Sequence, residues 1–279
     1  MREGSSRVVL LGTGTPNADP KRAGPAVAIV VDGAPYLVDV GAGVVRRAAA
    51  AFERGVEGLE VRRLNRAFVT HLHSDHTVGY PDLILTPWVL GRAEPLDVYG
   101  PAGLQAMSEH VLAAYAEDIK ERLEGPEPAN RTGYAVRAHE ISPGLVYQDE
   151  NVRVEAFRVN HGSWPAYGYK FHTSDRVIAI SGDTAPTDGL VEAYRGCDVV
   201  VHEVYSCAGF ARLTPAWQNY HASFHTSSKE LAEIASQAKP GLLVLYHQLF
   251  HGVTEGELLR EVEEAYEGKV VSGRDLEIY

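Results

Sequence analysis

The sequence has little of what would tie down a small secreted protein or anchor one in a membrane. Of its 279 residues only two are cysteines, Cys197 and Cys207, and two isolated thiols make no disulfide framework. They are read as free thiols, in keeping with a reducing compartment. No run of 18 apolar residues occurs, so no membrane-spanning helix is expected. No leader or low-complexity linker stands out, and a cytoplasmic protein with no membrane partner is the expectation. Cations are in short supply too: 26 Lys and Arg face 37 Asp and Glu, a formal net charge of −11. The densest basic cluster is Arg62-Arg63, with Arg66 nearby. Such a chain repels polyphosphate backbones unless its cations gather on one face, so nucleic acid reads as a disfavoured partner. What is present is ordinary and globular. Hydrophobic residues make up 45% of the chain and charged residues 23%, enough to bury a sizeable core without disulfides.

Short Val- and Ile-rich runs bounded by Gly, Pro, Asn or Asp predict strands at 7–11, 26–31 and 35–40, and helical spacing predicts a helix at 43–54. A strand at 66–70 follows. The clearest helix is predicted over 103–124, where Leu104, Met107, Val111, Tyr115, Ile119 and Leu123 form one stripe between Pro101 and Gly125-Pro126. The stretch from there to Ser142 reads as irregular. Strands are predicted again at 152–159, 167–171 and 177–180. Three helix–strand pairs follow: 188–194 with 198–202, 227–236 with 241–246, and 254–266 with a closing strand at 276–279. This alternation is α/β, read as a single domain over residues 1–279.

Chemistry concentrates in His71-Leu72-His73-Ser74-Asp75-His76, just beyond the predicted strand 66–70. Strand ends are where α/β folds place their sites. Imidazole and carboxylate ligate divalent ions such as Zn, Mn, Fe and Co. Four such groups within six residues reach two adjacent ions only in a tight turn, which the small Ser74 permits. The competing reading is a histidine-rich surface loop or a helix cap. His161, Asp183 and His247 each close a predicted strand downstream. Taken singly, each is better read as a structural polar residue; following the histidine run, the three together complete a ligand set.

With these residues in view, the chain resembles the metallo-β-lactamase superfamily, in the branch that holds ribonuclease Z and the zinc-dependent arylsulfatases. Leu11-Gly12-Thr13-Gly14-Thr15-Pro16 and Leu37-Val38-Asp39-Val40-Gly41 are similar to its first two motifs, and His71 to His76 to its metal loop. His202-Glu203 and His225-Thr226-Ser227 resemble two more. The resemblance covers almost the whole chain. It implies a four-layer αβ/βα sandwich and two divalent ions, zinc first, with Mn, Fe or Co as alternatives. It implies His71, His73 and His161 on one ion, Asp75, His76 and His247 on the other, and Asp183 bridging them. A bridging water would then be available as hydroxide at neutral pH. The resemblance further implies that His225 faces the scissile group and that Glu203 orients it, with helix capping and a buried structural carboxylate as the respective alternatives. Asp75 counts among the catalytic groups as well as the ligands. Asp39 either buttresses a ligand histidine or caps a turn. His202, His221 and His251 rank below these, and His110, His139 and His172 read as surface or packing residues.

The chain departs from ribonuclease Z in one respect. Only 22 residues separate His161 from Asp183, where the tRNA-processing members usually carry a long arm. The spare length lies in the 85 residues between His76 and His161 and is read as a helical insertion at about 101–145: a pocket wall, a lid, or the interface of a homodimer. Trp164, Tyr167, Trp217, Tyr220 and Phe224 add aromatic surface. Aromatics with few cations favour a small-molecule ester as substrate, an aryl sulfate, a phosphate ester or a lactone, over a folded RNA. The runner-up is a ribonuclease Z-type tRNA 3′-endonuclease; a single-iron redox protein and a non-enzymatic binding protein rank lower.

Overall fold

The computed structural model describes residues 6–279, which fall into two compact units. The first holds residues 18–142, the N-terminal strand and residues 275–279; the second holds residues 143–274 with 13–17.

Six strands build the first unit: β1 (Ser6–Gly12), β2 (Ala26–Val31), β3 (Ala34–Val38), β4 (Arg66–Phe68), β5 (Leu96–Gly100) and β6 (Val136–Glu140), side by side in that order. β1, β2 and β3 are antiparallel, and β3 to β6 are parallel. Asp32 and Gly33 both take positive φ, the turn that matches strand twist in a two-residue hairpin, and they set the β2–β3 register. Every residue of β2 is buried, as its unbroken AVAIVV run requires. The chain end hydrogen-bonds back onto β1, Val8 N–H donating to the Tyr279 carbonyl at 2.9 Å.

Five helices accompany this sheet: α1 (Val44–Glu53), α2 (Ser74–Thr77), α3 (Tyr80–Val89), α4 (Leu104–Ala114) and α5 (Ala116–Glu124). The single helix expected over 103–124 is two, broken at Tyr115 (φ −104°, ψ 17°). The apolar stripe does not face one continuous partner: α4 buries only Leu104 and Ser108, α5 only Ile119, and Tyr115 between them stays 42% exposed. The region read as irregular before Ser142 contains β6, an edge strand whose short VRAHE sequence carries only two small or medium apolar residues and leaves Arg137, His139 and Glu140 exposed. Inside α3, Pro87 has no N–H to give the Leu83 carbonyl. The fully buried Arg92 supplies the missing donor: Nη1 donates to Leu83 O at 3.0 Å and Leu64 O at 2.7 Å, and Nη2 to Ile84 O at 2.8 Å and Gly133 O at 2.7 Å.

The second unit holds β7 (Gly144–Gln148), β8 (Arg153–Arg158), β9 (Tyr167–His172), β10 (Val177–Ile180), β11 (Val199–Tyr205), β12 (Leu242–Leu249) and β13 (Val270–Ser272), again in chain order. β7 to β10 are antiparallel and β10 to β13 parallel. The helices are α6 (Asp188–Tyr194), α7 (Cys207–Phe210), α8 (Pro215–Phe224), α9 (Ser228–Ala238) and α10 (Glu255–Glu263). Capping boxes start α9 (Ser227 with Glu230) and α10 (Thr254 with Glu257), each satisfying two end amides.

His247 does not end a strand, as its position predicts. β12 runs on to Leu249, and pairing with β11 slips between Glu203↔Tyr246 and Val204↔Gln248. His247 is the extra residue of a bulge, turned out of the ladder at φ 42°. Cys197 and Cys207 are both free, and burial pushes the Cys197 thiol up to about 11. Among the described residues no helix is long and apolar enough to cross a membrane.

Candidate metal centre

In each unit, polar residues gather where parallel strands end, the standard location for a site in such sheets. β3 and β4 are parallel neighbours, so Asp39 and the Thr70–His71 pair emerge side by side. Asp39, 1% exposed and at φ 59°, is the hub. Its Oδ1 accepts from Thr70 N–H at 2.8 Å. The Thr70 hydroxyl lies 2.9 Å from Oδ2, and His76 Nδ1 lies 2.8 Å from the same oxygen.

This network fixes the imidazoles. A carboxylate only accepts, so His76 Nδ1 carries the proton and Nε2 bears the lone pair. With the Thr70 hydroxyl donating to Asp39, its oxygen accepts from His71 Nδ1 at 3.0 Å, which leaves His71 Nε2 basic as well. His71 Nε2 faces His73 Nδ1 at 3.1 Å, and His76 Nε2 lies 3.5 Å from Asp75 Oδ2. Two imidazole nitrogens that close must share a proton or a cation. α2 winds Ser74–Thr77 into the tight turn that brings these groups together, with His71 and His76 buried and their ring centroids 4.2 Å apart.

The second unit contributes His161, Asp183, Glu203, His225 and His247. His161 Nδ1 donates to the Phe224 carbonyl at 2.9 Å, so its Nε2 is again the free base. Gly162 makes room for this contact: its φ is 61°, and a Cβ there would sit 2.4 Å from the Phe224 ring. Asp183 follows β10 and is 3% exposed, with Oδ2 3.6 Å from His247 Nε2 and 3.9 Å from His225 Nδ1. The ligand atoms of His161, Asp183 and His225 all lie within 4.8 Å of one another.

Glu203, fully buried in β11, stands 3.4 Å from His225 Nδ1 through Oε1. The same oxygen accepts from Thr226 N–H at 3.0 Å and Thr184 N–H at 3.2 Å. The Thr226 hydroxyl in turn donates to the Thr184 carbonyl at 2.6 Å, tying the His225 turn to the Asp183 turn. Burial, and then the charge of Asp183, push the Glu203 carboxyl well above the usual carboxylate range. His225 thus stands beside a carboxyl that two backbone amides hold in place.

In each unit, then, the sequence-selected residues of that unit come together. Sequence reasoning missed the groups that hold them, Thr70, Thr184, Thr226 and the Phe224 carbonyl, which reach Asp39, Glu203 and His161 across 31, 19, 23 and 63 residues, separations that leave no local signal. His221 and His251 were ranked low, yet their rings are 4.5 Å apart and His221 lies 5.5 Å from His225. Burial first lowers both imidazoles to about 4, which keeps them neutral. His202 donates from Nδ1 to the Glu203 carbonyl at 2.6 Å and is structural. His139 pairs with Asp97, and His172 with Glu155, at the surface.

Each cluster has donors that fit a divalent ion: in the first unit His71 and His76 present a preset basic Nε2 with Asp75 alongside, and in the second His161 does so near Asp183. Replacing Asp39 with Asn should weaken metal binding by roughly 10- to 100-fold while the chain stays folded. Competition against a chromophoric chelator measures this. Unchanged affinity would reduce Asp39 to a turn-former.

A fold with two such half-parallel sheets and histidine–aspartate clusters at their strand ends defines a metal-dependent hydrolase acting on ester bonds. A family profile described as the beta-lactamase superfamily domain matches residues 35–248, and the chain belongs to that superfamily, in the branch that includes ribonuclease Z. It is 30% identical to a ribonuclease Z of Mycobacterium bovis BCG over 275 residues, 96% of either chain. Its fold matches that of the metallo-beta-lactamase fold protein YhfI from Bacillus subtilis (TM-score 0.76, 16% identity, 98% of each chain). It likewise matches human tRNase Z, short form (TM-score 0.72, 22% identity, 98% of each chain). The expected fold class holds, and the fold is one that binds divalent metal.

These relatives correct two expectations. Curated relatives named ribonuclease Z overturn the preference for a small-molecule ester, and with it the reading of nucleic acid as a disfavoured partner. The error lay in treating net charge as uniform. The −11 is a sum over the chain, whereas residues 206–229 and 156–174 contain no Asp or Glu at all.

Proposed function

We propose that this chain is a ribonuclease Z-type endonuclease that cuts precursor tRNA at a phosphodiester near its 3′ end. The observation that carries the reading is the relationship to ribonuclease Z along 96% of either chain. In this reading, as the resemblance implies, His71, His73, Asp75, His76, His161, Asp183 and His247 hold two divalent ions, zinc first. Bound there, the ions supply Lewis acidity at the phosphoryl oxygens and an activated water.

The chain's own residues do the rest. Asp39 and Thr70 keep the ligand imidazoles in the basic tautomer. His225, beside Asp183 and Glu203, delivers a proton to the leaving oxygen. Glu203 is a positioning residue: held by two amides, it orients His225.

The test is incubation of metal-loaded protein with a precursor tRNA carrying a 3′ trailer, with His73→Ala as the blank. Cleavage at one defined position is expected, weakening as salt rises. Fully metal-loaded protein that leaves the precursor intact would overturn the reading.

A further inference from the structure

α8 is an unusual helix for a chain with so large a core: the only residue it buries is His221. Positions i, i+3, i+4 and i+7 of a helix line one face and in most helices are the apolar residues set into the core. Here they are Trp217, Tyr220, His221 and Phe224, four rings, with Trp217 56% and Tyr220 37% exposed. Exposed Trp and Tyr on one stripe mark a surface that meets something.

The stripe is continuous, ring on ring, with the catalytic groups of the same unit. Trp217 packs edge-on to Tyr220 at 5.6 Å between centroids and stacks near-parallel on His221 at 5.8 Å. Tyr220 stacks on Phe224 at 4.7 Å and an interplanar angle of 21°. Phe224 meets His161 edge-on at 5.0 Å, and its carbonyl holds the His161 ring. Tyr220 lies 6.3 Å from His225. The helix ends at His225, so a group lying against the stripe is led to the residue that protonates the leaving oxygen.

Charge selects the class of group. In a chain with 37 carboxylates, none occurs between Ser206 and Lys229, while Arg212 and Lys229 are cationic. The segment carrying α8 therefore adds no carboxylate of its own against a phosphodiester, and Glu261, which the fold brings to its start, is occupied by the Ser206 and Ser228 hydroxyls and the Cys207 and Ala208 amides. A partner with flat aromatic rings joined by phosphates fits both features. Unpaired nucleobases stack on exposed Trp and Tyr with little regard to sequence and without needing a cationic groove.

Building on the ribonuclease reading, we propose that the Trp217–Tyr220 face of α8 is a stacking platform for an unpaired base beside the scissile phosphodiester of the RNA.

The experiment is an abasic scan. Precursor tRNAs carrying one abasic nucleotide at each unpaired position on either side of the cleavage point are cut by the metal-loaded protein, and KM and kcat are measured separately. At one position the lost base should raise KM by about 5- to 150-fold, the loss expected for one base–aromatic stack. In Trp217→Ala that penalty should vanish, because the platform is already gone, and in Trp217→Phe it should be intermediate. The cleaved trailer alone, a product, should quench tryptophan fluorescence of the metal-loaded wild type and not of Trp217→Ala. A flat abasic scan on a precursor that is cut, or a penalty undiminished in Trp217→Ala, would overturn the platform and leave the ribonuclease reading standing. If no precursor is cut, that reading falls, and the trailer titration alone decides whether α8 binds single-stranded RNA.

Discussion

Replacing His225 with Ala should lower turnover by roughly 10²- to 10⁴-fold while bound metal is retained. The geometry separates these two effects. His225 Nδ1 points at carboxyl oxygens, 3.4 Å from Glu203 and 3.9 Å from Asp183. In His71, His76 and His161, by contrast, Nδ1 is engaged by Thr70, Asp39 and a backbone carbonyl, so that Nε2 is directed outward. Its surroundings are those of a group that holds and passes a proton. The loss should shrink for a substrate with a good leaving group, such as a nitrophenyl phosphodiester, since such an oxygen departs without protonation. Elemental analysis of the purified variant beside its rate constants makes the test. Loss of metal together with activity would make His225 a ligand, and an equal loss for good and poor leaving groups would remove its role as acid.

Replacing Arg92 with Leu should destabilise the chain by about 3–5 kcal/mol, lowering its Tm by on the order of 10 °C. The guanidinium is 1% exposed and donates to four carbonyls, and burial lowers its own pKa to about 10. Leucine fills part of the volume but leaves those oxygens buried without that donor, and an orphaned buried carbonyl costs about 1–3 kcal/mol. One of them, Leu83 O, needs Arg92 only because Pro87 has no N–H. Pro87→Ala in the Arg92→Leu background should therefore recover part of the loss, a coupling that thermal or urea denaturation of the four proteins would read. Strict additivity would show that Arg92 acts by bulk alone.

What could be read from sequence was what is local. The histidine run, His161 and Asp183 sit where short Val/Ile strands give way to polar residues, and the turn types around them follow from neighbouring residues. His247 has the same appearance but lies mid-strand. A bulge is a property of two strands, and β12 alone carries no mark of the slip against β11. The network around Asp39 spans 31 and 37 residues to Thr70 and His76 and becomes visible only when β3 and β4 align. Trp217, Tyr220 and Phe224 were legible as aromatic surface, but the helix α8 that aligns them was not, because its one-sided stripe is largely exposed and carries no burial pattern. The substrate was misjudged because a sum of charges says nothing of where the carboxylates are absent.

Three non-glycine residues, Asp39 in the first unit's cluster and His247 and His251 at the second's, adopt left-handed backbone with φ of 59°, 42° and 49°. An L-residue held there costs about 1–2 kcal/mol relative to ordinary conformations, a cost glycine would largely avoid. The most stable sequence for this backbone is therefore not the natural one: glycine at position 247 would relax the bulge and delete the imidazole proposed as a ligand in the same stroke. Selection for stability and selection for chemistry pull this position in opposite directions, and a stabilised variant found by screening for heat resistance alone would tend to be a dead one.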